Sequence, residues 1–196
     1  MNEIVKAPAR RKWTLAELDR LGHLGFFGEH EHVELIGGEL FAMPPKGIRH
    51  EIVRGEIADK FNERRPARMR LRVELGWRPS GDVYLEPDIL VAAAQRNLPL
   101  VPPDDVALLV EIAMSSLQYD HGLKAETYAA LGVAEYWVVN AVTLETRVHR
   151  DPAPHGYRAV TSHAASETIV PARVPELAIC LADLDIGSDG LDGNET

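Results

Sequence analysis

A single cysteine, Cys180, in a chain of 196 residues excludes an intramolecular disulfide and a cysteine-rich zinc site. Its neighbours Leu177, Ile179 and Leu181 predict a buried, inert thiol. Long apolar runs are missing too. The longest, Ile89 to Ala94, is far short of the ~18 residues that cross a bilayer, so no membrane span is expected. The N-terminal MNEIVKAPARRKW has basic residues but no apolar segment behind them, which does not read as a secretory signal and predicts a cytoplasmic location. Gly22, Gly25 and Gly28 punctuate the chain without forming a phosphate-binding loop, and no internal repeat is present. Lys and Arg are absent from 176–196, where six acidic residues supply most of the net charge of −9.

What is present describes an ordinary globular chain: 45% hydrophobic, 26% charged and 21.7 kDa, enough for one domain with a real core. The boundaries expected are a single domain over 1–186 and an acidic, disordered tail over 187–196. Against the acidic total, residues 60–78 hold seven Lys or Arg and two Glu. Arg64, Arg65, Arg68, Arg70 and Arg72 are therefore candidates to meet phosphates. A solvated face whose arginine stems cover apolar surface explains the same segment.

Thr14 and Glu17 stand at capping-box spacing and predict a helix beginning at residue 15. VELI and ELFAM flank Gly37-Gly38, the pattern of a β-hairpin with a two-residue turn. Ile48, Ile52, Ile57 and Phe61 recur at helical spacing and predict a helix over 48–63. Beyond Pro66 the period changes. Leu71, Val73, Leu75 and Trp77 alternate with Arg70, Arg72, Glu74 and Arg78 as in one half-buried strand. VYLEPDILVAAA and VALLVEIAM read as two buried strands, followed by a helix from about 117 that Gly132 closes. EYWVVN, TRVHR and YRAV follow as further strands, giving a mixed α/β (α+β) core in the order helix, strand, strand, strand, helix, strand.

Two of these strands each carry one acidic residue inside an apolar run: Asp88 in EPDILV and Glu111 in LLVEI. A buried carboxylate is costly unless cations or hydrogen bonds compensate it, and two on adjacent strands can share one cation such as Mg²⁺. A turn cap for Asp88 and a buried arginine for Glu111 explain each residue separately. Lys124 lies four residues after Asp120, on the same helix face, and can project toward the carboxylates. An exposed Asp120/Lys124 ion pair is the alternative.

These residues resemble a known family. The segments ELIGGEL at 34–40, His50, Pro87-Asp88, Val110-Glu111-Ile112 with Ser115-Ser116, Asp120 with Lys124, Tyr128 and GVAEYWVV at 132–139 are similar to the Uma-two family of bacterial restriction-endonuclease-like proteins, over about residues 13–150. That family falls in the PD-(D/E)XK nuclease superfamily. The resemblance implies a restriction-endonuclease-like core with a mixed central sheet flanked by helices, preceded here by the N-terminal helix and hairpin. It also implies that Asp88 and Glu111 are the metal ligands for Mg²⁺ or Mn²⁺. The superfamily's plain E-x-K lysine would stand at 113, which is alanine, so Lys124 would be a migrated replacement. Glu34, His50 and Asp120 are possible accessory residues.

Metal-dependent hydrolysis of DNA phosphodiesters is the leading expectation, with Lys124 positioning water or stabilising charge. A weakly catalytic nucleic-acid or partner-binding module on the same fold is the alternative, as is a homo-oligomeric structural protein. A homodimer is also expected, since a pair of sites matches the two strands of a duplex. Its apolar contacts would come from the hairpin and the segment around Tyr136, Trp137 and Val138, which buried core strands explain equally well.

Overall fold

The computed structural model describes residues 10–29, 31–94, 98–114 and 116–187. The tail expected to be disordered, apart from Gly187, and Ser115 lie outside the described residues. Helix α1 (Leu15–His23) starts where expected, with Thr14 as N-cap and a reciprocal capping box to Glu17. Strands β1 (His32–Ile36) and β2 (Glu39–Met43) form the hairpin, and Gly37 and Gly38 take φ of 54° and 81° at its turn. Helix α2 (Ile48–Arg64) follows. Its buried stripe is His50, Val53, Ile57 and Phe61, whereas Ile48 is 70% exposed. The stripe is rotated from the one expected, and that rotation carries His50 inward.

The run from 70 to 78 is not one strand. It divides into β3 (Met69–Val73) and β4 (Trp77–Ser80) because Glu74 adopts φ of 49°, a left-handed backbone that breaks the pleat. VYLEPDILVAAA likewise divides at Glu86-Pro87-Asp88 into β5 (Val83–Leu85) and β6 (Ile89–Ala93), which belong to different sheets. Pro87 lacks the N–H that a continuous ladder would require. Strand β7 (Val106–Ala113) is buried at all eight positions. After it come α3 (Leu117–Tyr119), a π-helical turn Asp120–Lys124 and α4 (Ala125–Ala130), and Gly132 ends the run at φ 87°. Strands β8 (Glu135–Asn140), β9 (Thr146–Ala153) and β10 (Gly156–His163) complete the main sheet, and β11 (Thr168–Ile169) pairs with β12 (Ile179–Cys180).

The main sheet runs β10-β9-β8-β7-β6-β3, and a smaller sheet runs β2-β1-β5-β4. Only β7 and β8 are parallel within the main sheet, joined by the 117–130 helical crossover; its other pairs are antiparallel. The sheet is therefore mixed, and the restriction-endonuclease-like order of α2, β3, β6, β7, helical crossover and β8 holds, with β4 and β5 inserted. One face packs Val91, Leu108, Val110 and Ile112 against Val53, Ile57 and Phe61 of α2. The other packs Leu90, Leu109, Ala113 and Val138 with Tyr128 of α4 and the smaller sheet. Tyr136, Trp137 and Val138 are at most 1% exposed, so they are core and not surface for a second copy. Cys180 is half-buried, its Sγ 3.5 Å from the Ala165 carbonyl oxygen. Among the described residues no helix is long and apolar enough to cross a membrane.

His149 of β9 is buried among Tyr136, Tyr157 and His121, with ring centroids 5.4, 5.6 and 5.8 Å away. Its Nε2 has no hydrogen-bond partner. Burial, assisted by His121 and Arg147, lowers its pKa from the usual 6.5 to about 4. The unfolded chain thus takes up a proton near pH 6.5 that the folded chain refuses, so stability is whole above that pH and is lost as pH falls toward 4. The melting temperature should drop between pH 7 and 4.5, and that of His149→Phe should drop less over the same window. Parallel curves in scanning calorimetry would show that His149 does not contribute.

Candidate active site

Register places the two strand carboxylates side by side. Ile89 of β6 pairs with Val110 of β7, so Asp88, one residue before β6, stands across from Glu111. Both share the face that holds Leu90, Leu109 and Ala113. Asp88 is 2% and Glu111 3% exposed. They are also linked through the backbone: the Ile112 N–H donates to Asp88 Oδ2 at 2.8 Å, and the Asp88 N–H donates to Glu111 Oε2 at 3.4 Å.

Lys124 reaches the pair from the crossover. Its Nζ lies 3.0 Å from Glu111 Oε1, 3.0 Å from Glu34 Oε1 and 4.0 Å from Asp120 Oδ1. Burial alone would lower its pKa, but Glu111, Glu34 and Asp120 together raise it well above the ordinary lysine value. It is an ammonium. Tyr128, fully buried on α4, donates to Glu111 Oε1 at 2.9 Å. Ala113, where the plain motif would put lysine, is packed in the core two residues beyond Glu111 on the same face.

The three possible accessory residues all join this cluster. Glu34, on β1, accepts from the Tyr119 hydroxyl at 3.1 Å and from the Glu86 N–H at 3.1 Å. His50 faces Asp88 Oδ2 through Nε2 at 2.9 Å, while its Nδ1 is buried without a hydrogen-bond partner. Asp120 accepts from the Ser116 hydroxyl at 2.6 Å. The arginines are placed elsewhere. β3 runs antiparallel to β6 with Arg72 opposite Leu90 and Arg70 opposite Ala92, so the segment recedes from Asp88 as it runs back to Arg64.

Lys46, which the sequence did not single out, donates to Asp88 Oδ1 at 2.8 Å and to Glu74 Oε1 at 2.7 Å. Arg54 also meets Glu74 at 2.5 Å. The left-handed backbone at Glu74 thus serves to bring a fifth carboxylate to the edge of the site. A lysine in a Pro-Pro-Lys-Gly turn carries no periodic signal; only its place one turn before His50 on the sequence hints at it.

Charge in the cluster does not balance. Glu34, Asp88, Glu111 and Asp120 face Lys46 and Lys124. Burial would raise the Asp88 pKa, but hydrogen bonding and charge from His50 and Lys46 hold it well below the usual carboxylate range. Glu111 is pushed well above that range by burial and by Asp88, Asp120 and Glu34, against the pull of Lys124. Asp120 is raised to about 6, chiefly by burial. Such a site retains a proton or takes a further cation. Among the described residues no three His, Cys, Asp or Glu side chains by themselves enclose a metal ion. Asp88 and Glu111 still present two hard carboxylates, a donor set that fits Mg²⁺ because this ion keeps several waters. All of these groups line one cavity of about 330 Å³.

Removing the ammonium while leaving its partners should be costly. Lys124→Met should lower the free energy of urea unfolding by about 3 kcal/mol or more, because Glu111 and Glu34 lose their compensating charge. Adding Glu111→Gln should recover part of that loss, and a single variant as stable as the parent would contradict the account.

The comparisons with known proteins agree with this architecture. Residues 15–184 match the family model Uma2, described as "Putative restriction endonuclease". The crystal structure of a putative nuclease belonging to DUF820 from Anabaena variabilis ATCC 29413 superposes with a TM-score of 0.63 at 18% identity, covering 82% of this chain and 93% of that one. At that identity the likeness establishes the fold. No curated protein matches. The match spans nearly the whole described chain, and with the fold and the carboxylate-lysine cluster in place, the chain belongs to the Uma2 family.

Proposed function

We propose that the protein is a metal-dependent endonuclease that hydrolyses phosphodiester bonds in DNA. The observation that carries this reading is the convergence of Asp88, Glu111 and Lys124, from a strand edge, a strand and a helical crossover, on one cavity. Membership of a family whose description reads "Putative restriction endonuclease" supports the same chemistry. Asp88 and Glu111 would hold Mg²⁺ or Mn²⁺, which when bound polarises a phosphate and acidifies a water. Lys124, whose pKa is raised by its carboxylate partners, acts by donating hydrogen bonds to the attacking water or to the phosphoryl oxygens as negative charge grows. Tyr128 and Glu34 fix its aim by holding Glu111 Oε1 and the ammonium. His50 and the Ile112 N–H fix Asp88 Oδ2. Lys46, on Asp88 Oδ1 and 26% exposed in its side chain, is the group that can swing toward an entering phosphate.

With Mg²⁺ or Mn²⁺, the protein should nick supercoiled DNA. Asp88→Asn and Glu111→Gln should each reduce the rate by at least about 100-fold and abolish metal uptake in calorimetry. Lys124→Met should reduce the rate comparably while metal uptake persists. Metal uptake that is identical in the parent and the double-carboxylate variant would turn the reading toward a binding module. A homodimer belongs to this proposal where both strands of a duplex are cut. Light scattering would then give about twice 21.7 kDa, and a mass that stays at the single-chain value as concentration rises would assign nicking instead.

A further inference from the structure

We infer that the site takes its nucleic-acid strand unpaired, with one base laid against the apolar wall of the cavity while the adjoining phosphate faces Asp88, Glu111 and Lys124. The inference rests on the nuclease reading above and adds the form of the substrate.

The wall is the first observation. Phe41 and Met43 of β2, the Pro44-Pro45 turn after it, and Met114 at the end of β7 line the same cavity as the carboxylates. Met114 is 44% exposed. The Phe41 ring meets the Tyr119 ring at a centroid distance of 5.9 Å and an interplanar angle of 47°, and both half-buried rings belong to the cavity lining beside the carboxylates. A phosphate makes no use of such a surface, whereas the π-face of a nucleobase does. In a duplex the π-faces of the bases are stacked inward, and only base edges, sugars and phosphates meet a protein surface. A base can be laid on a protein wall only once it has left its stack, as in enzymes that act on single strands or extrude a nucleotide. The carboxylates here form the floor of such a recess, at 2% and 3% exposure.

The second observation is the distribution of charge. Duplex binding draws most of its affinity from basic side chains on many phosphates. This chain has a net charge of −9. The arginines of its basic segment recede from the cavity, and most are engaged: Arg64 on the Ala178 carbonyl, Arg65 on the Met69 carbonyl and Arg68 on Glu176. The cavity itself is lined by two lysines, Lys46 and Lys124, against five carboxylates, Glu86 joining the four central ones. With so little backbone attraction, stacking must supply a large share of the binding energy.

The test is fluorescence anisotropy with a labelled DNA strand of about twelve nucleotides, the same sequence as a blunt duplex, and an abasic strand of equal phosphate count, all in EDTA. Cleavage of each in Mg²⁺ is followed in parallel. The base-bearing strand should bind about ten-fold tighter than either the duplex or the abasic strand, and should be cut fastest. Phe41→Leu, which keeps apolar bulk, and Met114→Ala, at an exposed position, should each weaken the base-bearing strand several-fold and leave the abasic strand unchanged, with thermal melting as the check on folding. Equal binding of abasic and base-bearing strands, or preferred binding and cutting of the duplex, overturns this inference and leaves the nuclease reading standing. Neither binding nor metal-dependent cutting of any strand overturns both.

Discussion

The ammonium of Lys124 is the group on which the site depends, because it holds carboxylates from two distant parts of the chain at 3.0 Å each. Glu34 arrives from the small hairpin sheet and Glu111 from the centre of the main sheet. Without a shared cation these two carboxylates, at 2% and 3% exposure, would repel, and among the described residues the hairpin would keep only the Tyr119 hydroxyl as its polar link to the crossover. Tyr119, Tyr128 and Ser116 complete the shell by donating to Glu34, Glu111 and Asp120. All three come from the 116–130 segment, so one helical crossover supplies the side-chain donors of Glu34, Glu111 and Asp120, and the Glu86 and Asp88 N–H groups add to the first two.

A second link joins the other side. His50 and Lys46, at and just before the start of α2, converge on Asp88, and Lys46 continues to Glu74. Each of the two strand carboxylates therefore has its own cationic or imidazole partner from its own helical element. The pair is asymmetric as a result. Asp88 is held ionised, whereas Glu111, buried beside three other acids, is the one whose charge is hardest to maintain. This asymmetry is a physical reason for the site to welcome a divalent ion, which would remove the repulsion without displacing either helix.

Much of this was legible in the sequence, and the reasons differ by residue. Asp88 and Glu111 stood out because a lone acid inside an apolar run has no inexpensive explanation. The crossover lysine stood out through its spacing from Asp120. The order of elements followed from changes of hydrophobic period. Glu74 and Pro87 were read through, because alternation continues across both even though one adopts a left-handed backbone and the other lacks a donor. The burial of His50 was hidden by Ile48, whose apolar side chain suggested a helix face that the fold leaves in solvent. Lys46 was invisible because its role comes from a contact with Asp88 forty-two positions away, across two sheets and a helix. Local pattern reports which side chains must be buried, and long-range pairing decides which of them meet.

The π-helical turn at Asp120–Lys124 has a consequence for how this crossover tolerates change in length. A π turn accommodates one residue more than an α turn, so it acts as a phase adjuster between α3 and α4. Each residue of α-helix advances the azimuth by about 100°. Deleting one residue, Gly122 for example, would let the segment wind as continuous α-helix. It would also rotate everything on one side relative to the other, so Tyr128 and Lys124 could not both keep Glu111 while Tyr119 kept Glu34. The helix would be more regular and the cluster would be out of phase, which makes an irregular turn the condition for a regular site.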